Sequence, residues 1–192
     1  MKLILSETYI VADLSLFDSQ AAAYVGMSVD AYNQSCIDGI NSKVNDEDTI
    51  IFFGELSKGS VDDTKEIFNK IKGKKTLVDR VDNLDFSNSE DLKQLGFNHL
   101  WSIGGYLSGE LDNKFYEAYI VPLKYDMDLA LKQRDSGFYI VTTTSKLPKD
   151  LIVVPYNDKI LNVDFKIWSF EPLSYSDIIE QISAYGGISN NG

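Results

Sequence analysis

Apolar residues fall along this chain in two rhythms. Short unbroken runs mark one of them: "KLIL" (2–5), "TIIFF" (49–53) and "KTLVD" (75–79). Runs of this length between turn residues predict strands buried on both faces. Between the runs, apolar residues return every third or fourth position. Ser28 can cap a helix that turns Val29, Tyr32, Cys36, Ile40 and Val44 inward. Ser60 can cap a second, with Val61, Ile67, Phe68 and Ile71 inward and Gly73 at its end. Glu7 to Ser19 is expected to be irregular. The order β–loop–α–β–α–β predicts parallel strands joined by crossover helices.

The second part of the chain reads differently. "SEDLKQLG" (89–96) is a short helical stretch. "HLWSIGGYLSGELDNKFYEAYIVPL" (99–123) predicts a hairpin turning near Leu111 to Asn113, with aromatic-rich strands on each side. "GFYIVTTTS" (137–145), "LIVV" (151–154) and "KILNVDFKIW" (159–168) are further strands, and "SYSDIIEQISAY" (174–185) a closing helix. The fold class expected is α/β, a mixed sheet or two stacked sheets covered by helices. One domain over 1–185 is expected, with a mobile tail over 186–192.

Composition narrows the function classes. Lys and Arg number 18 against 29 Asp and Glu, a formal net charge of -11, and the basic residues do not cluster. Nucleic-acid binding rests on neutralising phosphates, so no nucleic-acid partner is expected. No apolar run reaches the ~18 residues of a membrane span, and the first residues lack the pattern of a secretory signal. The single cysteine, Cys36, sits in a helical pattern and reads as a small core residue. A cytoplasmic protein is the expectation.

Candidate chemistry begins at "DTIIFFGELSKG" (48–59). Its apolar run ends in Gly54 and delivers a carboxylate, Glu55. The carboxyl ends of buried strands are where open α/β folds build sites. A polar strand terminus facing solvent is the plain alternative. The chain's one histidine, His99, precedes "LWS" and reads as structural or surface.

Four segments in order carry a resemblance: "LSETYIVADLSLFD" (5–18), "SVDAYNQSCIDGINSKVNDEDTIIFFGEL" (28–56), "KGKKTLVDRVDN" (72–83) and "KILNVDFKIWSFEPLSYSDII" (159–179). The last is the most specific, with Asn162, Val163, Asp164, Trp168, Pro172 and Ser174 in order and spacing. Together they resemble the calcineurin-like metallophosphoesterase superfamily, in its short bacterial and phage branch. The resemblance implies a layered fold of mixed sheets flanked by helices. It also implies two metal ions held by Asp and His, which orient a phosphate and generate hydroxide.

The departures from the family's motifs matter more than the match. Where the resemblance asks for Asp and, two residues later, His, this alignment puts Glu7 and Tyr9. The bridging Asp after glycine is Glu55. Asn-His-Asp becomes Val81, Asp82 and Asn83. A later ligand His becomes Ile120, and a His-rich motif falls among the threonines near 143. Carboxylates alone can hold Mg²⁺ or Ca²⁺ weakly but not a tight dinuclear transition-metal site. No catalytic or metal-binding residue and no other cofactor is therefore expected.

The resemblance so altered implies a catalytically inactive relative that acts through a protein partner, in a regulatory, scaffolding or assembly role. The branch's frequency in phage genomes adds a phage-encoded or virion-associated protein to the expectations. A divergent phosphoesterase using Glu7, Glu55 and Asp82, or a non-catalytic ligand-binding module, are the alternatives. Homo-oligomerisation stays open, as does whether Tyr9 and Val81 fill the old cleft.

Overall fold

The computed structural model describes residues 7–78, 93–101, 105–111, 114–120, 139–142, 156–157 and 160–186. The expected strands at 2–5 and 151–154, and residues 81–83, lie outside these. The chain is an α/β protein whose mixed sheet is flanked by helices. Four strands run parallel in spatial order: β1 (Thr8–Ala12), β2 (Thr49–Phe53), β3 (Lys74–Val78) and β4 (Phe97–Trp101). A short strand, β10 (Leu173–Ser174), pairs antiparallel with the outer side of β1. A second mixed sheet orders β5 (Gly105–Leu111), β6 (Lys114–Ile120), β7 (Tyr139–Thr142), β9 (Ile160–Asn162) and β8 (Tyr156–Asn157). In it β5 and β6 form the expected hairpin, with Leu111 opposite Lys114.

The helices form where capping and periodicity place them. Asp18 caps α1 (Ser19–Tyr24) and Ser28 caps α2 (Val29–Lys43). Ser60 caps α3 (Val61–Phe68) by accepting from the Asp63 N–H. The closing helix is α4 (Tyr175–Gly186), which takes in the first residue of the expected tail. None of the described helices is long and apolar enough to cross a membrane.

Alternation along β1 and β2 sends their side chains into two cores. Tyr9, Val11, Ile50 and Phe52 join Tyr32, Cys36, Ile40, Ile67 and Phe68 on the side of α2 and α3. Ile10, Ala12, Ile51 and Phe53 join Leu161, Val163, Ile178 and Ile182 on the other. Phe52 stacks against both Phe68 and Phe97, at centroid distances of 5.3 and 5.9 Å.

Two expectations change. The stretch from Glu7 to Ser19 is not irregular throughout: "TYIVA" is β1, and its β-branched and aromatic residues suit a pleated, buried strand. The strand expected over 159–168 stops at Asn162. Asp164 Oδ1 accepts from the Lys166 N–H, an Asx turn, and Ser169 and Phe170 adopt positive φ, so 165–170 turns back. That turn packs against α2 at Gly39, where a Cβ would collide with the Phe170 carbonyl.

Candidate carboxylate site at the strand ends

The loops that leave β1 and β2 run side by side at the carboxyl edge. Asp13 N–H donates to Phe53 O, Ser15 N–H to Glu55 O, and Leu16 N–H to Leu56 O. Lys58 N–H returns to Leu16 O. To hold this register Asp13, Ser15 and Phe17 take φ of 52, 49 and 58°. Left-handed backbone is costly for such residues and concentrates where a structure over-determines it.

Side chains converge on that edge. Asp13 is 1% exposed. Its Oδ1 accepts from the Glu55 N–H at 2.8 Å, and among the described residues its buried Oδ2 has no partner. Gly54 makes room, since a Cβ there would overlap Asp13 Oδ1, and its own φ is +77°. The Ser15 hydroxyl lies within donating range of both Asp13 O (3.2 Å) and Glu55 Oε2 (3.3 Å). Asp18 is buried. It accepts from the Gln20 N–H through Oδ1, while the Lys58 ammonium donates to Oδ2 at 2.6 Å. The same ammonium lies 3.8 Å from Glu55 Oε1.

Burial opposes charge on Asp18. The Lys58 ammonium and the N–H groups of Gln20 and Ala21 outweigh it and hold the carboxyl below its ordinary value. Asp18, and then Glu55, hold Lys58 above its own. Behind the loops, Lys166 Nζ donates to Asp13 O at 3.0 Å and pairs with Asp164 Oδ1 at 3.1 Å. A backbone bridge between Ala12 and Asp164 fixes that pair against β1.

Of the residues singled out in the sequence, Glu55 stands at this edge. Glu7 and Tyr9 do not. Glu7 precedes β1, its N–H donating to Asp48 Oδ1, and its carboxylate accepts from Ser176. Tyr9 pairs with Ile50 inside the sheet. Its hydroxyl reaches Lys43 O at the end of α2, so its ring fills core near the amino edge. About 16 Å of strand separates Glu7 from the carboxyl edge, so Glu7 and Glu55 share no site. The cause is the position of β1, whose carboxyl end delivers Asp13 and not Glu7. Ile120 ends β6 in the second sheet, opposite Gly105 and beside Val141. Val81, Asp82 and Asn83 lie outside the described residues. His99 stands in β4, paired with Thr76.

Asp13, Ser15, Asp18 and Lys58 went unread in the sequence. Asp13 had the same signal as Glu55, since "YIVAD" also runs from apolar residues into an acid. Lys58 and Asp18 meet only because two loops 40 residues apart run together.

The donors here are oxygens with an ammonium among them. No group of three or more His, Cys, Asp or Glu placed to hold a metal ion occurs among the described residues. Ser15 supplies a neutral hydroxyl, and Lys58 already neutralises part of the carboxylate charge. This set does not fit a dinuclear transition-metal centre.

No family model matches the chain, and no curated protein matches it. Among solved structures, a protein of unknown function from Aquifex aeolicus superposes with a TM-score of 0.61. The match covers 93% of this chain and 100% of that one at 13% identity. At that identity the likeness shows a shared fold.

Proposed function

We propose that this chain is a metallophosphoesterase-like protein without a dinuclear centre, acting through contacts with a protein partner. With β1 at Thr8–Ala12, the family's Asp and the His two residues later fall on Asp13 and Ser15, one element beyond Glu7 and Tyr9. The bridging Asp falls on Glu55, as before. The observation that carries the proposal is the hydrogen bond from Ser15 to Glu55 at 3.3 Å. On this reading a hydroxyl takes the position of an imidazole, and the neighbouring carboxylate lies within its donating range. The layered two-sheet arrangement is part of the same proposal, supported by an apolar cluster that joins β1 and β2 to β9 and α4.

The partner is a protein with a basic surface, suited to a chain of net charge -11. Exposed Tyr24 and Met27 offer apolar contact at the turn between α1 and α2. Metal analysis and phosphodiesterase assay of the purified protein test the proposal together. The expected result is no tightly held transition metal and no hydrolysis of bis(p-nitrophenyl) phosphate above buffer with added Mn²⁺ or Mg²⁺. Two tightly held ions per chain with turnover would overturn it.

A second reading, weak binding of one hard cation, has one observation in its favour: the buried, unpartnered Oδ2 of Asp13. Glu7 is too far away to take part. Saturable Ca²⁺ or Mg²⁺ binding that disappears in Asp13→Asn would establish this second reading.

A further inference from the structure

Between α2 and α3 lies an open cavity of about 170 Å³. A space of about 150 Å³ takes a ring the size of benzene, so this one admits a flat side-chain head and part of its stem. Its apolar lining is Phe17, Ile37 and Ile67. Phe17 is held in place from two sides. Its N–H donates to Asn33 Oδ1 at 3.0 Å, and its ring lies so near Gly59 that a Cβ there would meet it at 2.5 Å.

Two polar groups of the cavity are unused. Asn33 lines it and is only 4% exposed. Its Oδ1 serves Phe17, while its Nδ2 has no partner among the described residues. Asp13 Oδ2 is the one sealed side-chain atom without a partner among those residues, so the Asn33 amide nitrogen keeps its opening to the cavity. Three residues earlier on α2, and so on a neighbouring position of the same face, exposed Asp30 also has no partner among the described residues. The other two carboxylates of the lining are engaged. Asp63 accepts from the Ser60 hydroxyl at 2.6 Å, and Glu66 pairs with Lys70 at 2.8 Å. A free donor on the wall, a free anion at the mouth and an apolar floor together describe the ligand: a cationic head, an apolar stem and a carbonyl oxygen.

We propose that this cavity receives an arginine side chain of a protein partner. The guanidinium pairs with Asp30 and lies against the Phe17 ring. The methylene stem covers Ile37 and Ile67, and a main-chain carbonyl of the same segment accepts from Asn33 Nδ2. Arginine suits the space better than lysine, because its head is planar and more weakly hydrated than an ammonium. The inference rests on the reading of the chain as one that contacts a basic protein surface, and it names one such contact.

The test is a magnetic-resonance titration of the isotope-labelled chain with acetyl-argininamide, which carries the head, the stem and the carbonyls. Saturable shifts are expected at the Asn33 side-chain amide and at the backbone amides of Phe17 and Ile67, with a dissociation constant of about 1 mM. Acetyl-citrullinamide lacks the charge and propylguanidine lacks the carbonyls, and each should bind at least about fivefold more weakly. Asp30→Asn changes an exposed residue and should weaken acetyl-argininamide by at least about fivefold. Glu47→Gln removes the same charge at the amino edge, where Glu47 pairs with Lys74, and should leave binding unchanged. Three results would overturn the inference. One is no saturable shift at these residues. Another is an equal loss in Asp30→Asn and Glu47→Gln, which would mark a diffuse charge effect. The third is propylguanidine binding as tightly as acetyl-argininamide, which would mark a site for a free guanidinium compound. None of the three bears on metal content or hydrolysis, so the proposed function fails or stands separately.

Discussion

Two buried aspartates show how single residues tie this chain together. Asp48 is 2% exposed. Its Oδ1 accepts from the Glu7 N–H at 2.8 Å, and its Oδ2 from the Asn45 N–H at 2.8 Å and the Asn45 amide at 3.2 Å. It thus clamps the entry of β1 to the entry of β2. Burial opposes its charge, but the Glu7 and Asn45 donors outweigh burial and lower its carboxyl, as Lys58 and the α1 N–H groups do for Asp18. Both folded values lie below the unfolded value of about 3.9. The unfolded chain therefore binds protons first on acidification, and stability rises with pH through that window. The contribution is complete above about pH 5 and is lost as pH falls through the depressed folded values. Urea melts at pH 7, 5, 4 and 3 should show a plateau and then a fall. Asp48→Asn should cost about 1–3 kcal/mol at pH 7, because two N–H groups lose a charged acceptor, and its acid limb should be shallower. An acid limb unchanged in both Asp48→Asn and Asp18→Asn would show that other groups control it.

At the scale of elements, the close approaches at glycine decide what the strands and helices can do. Gly54 lets β2 turn with φ +77° while the Asp13 carboxylate occupies the space of a side chain. Gly54→Ala should destabilise by at least about 1–2 kcal/mol from left-handed backbone alone. It should also displace Asp13, which a change in the amide shift of Glu55 would report. If the variant melts like the wild type, Asp13 does not sit on this turn. The same elements show what the sequence could reveal. The helices α2 and α3 were legible because Ser28 and Ser60 announce their starts and the spacing of buried residues does the rest. β2 was legible as an apolar run between turns, and Glu55 as the acid it delivers. β1 was not, because "KLIL" and "TYIVA" are both apolar runs and local apolarity does not choose a pairing partner. What places "TYIVA" is its register against Thr49–Phe53, a contact between residues some 40 positions apart. Reading the first strand at 2–5 made Glu7 the acid at a strand end, whereas Glu7 stands at the amino edge of β1 and Asp13 at its carboxyl end. The turn at 165–170 was hidden for a related reason. Its packing on Gly39 is a tertiary contact, and its Asx bond, though it spans only two residues, is masked by a strand-like run of apolar residues.

For the molecule as a whole, the parallel sheet is the wall between two cores, and its central strands have no face to spare. Phe52 and Phe53 are neighbours in sequence, yet the pleat sends one into the core with Phe68 and Phe97 and the other into the core with Leu161 and Ile178. A strand that loses its packing on one face cannot keep its register on the other, because the same backbone hydrogen bonds serve both. Melting of the two cores should therefore be coupled into one transition. Phe52→Ala and Phe53→Ala should each cost about 3–5 kcal/mol, and each should move the same transition. Far-ultraviolet dichroism follows the helices, and tryptophan fluorescence, read in a Trp101→Phe background because the chain has two tryptophans, follows Trp168, which packs against the second core. The two signals should coincide in the wild type and in both variants. If Phe53→Ala shifts the fluorescence transition and leaves the dichroism of α2 and α3 in place, the halves fold separately and the sheet is not the shared element. In that case the bridge from Ala12 to Asp164 and the bond from Lys166 to Asp13 O would tie together halves that melt apart, so coincident transitions are also what the geometry of the candidate site requires.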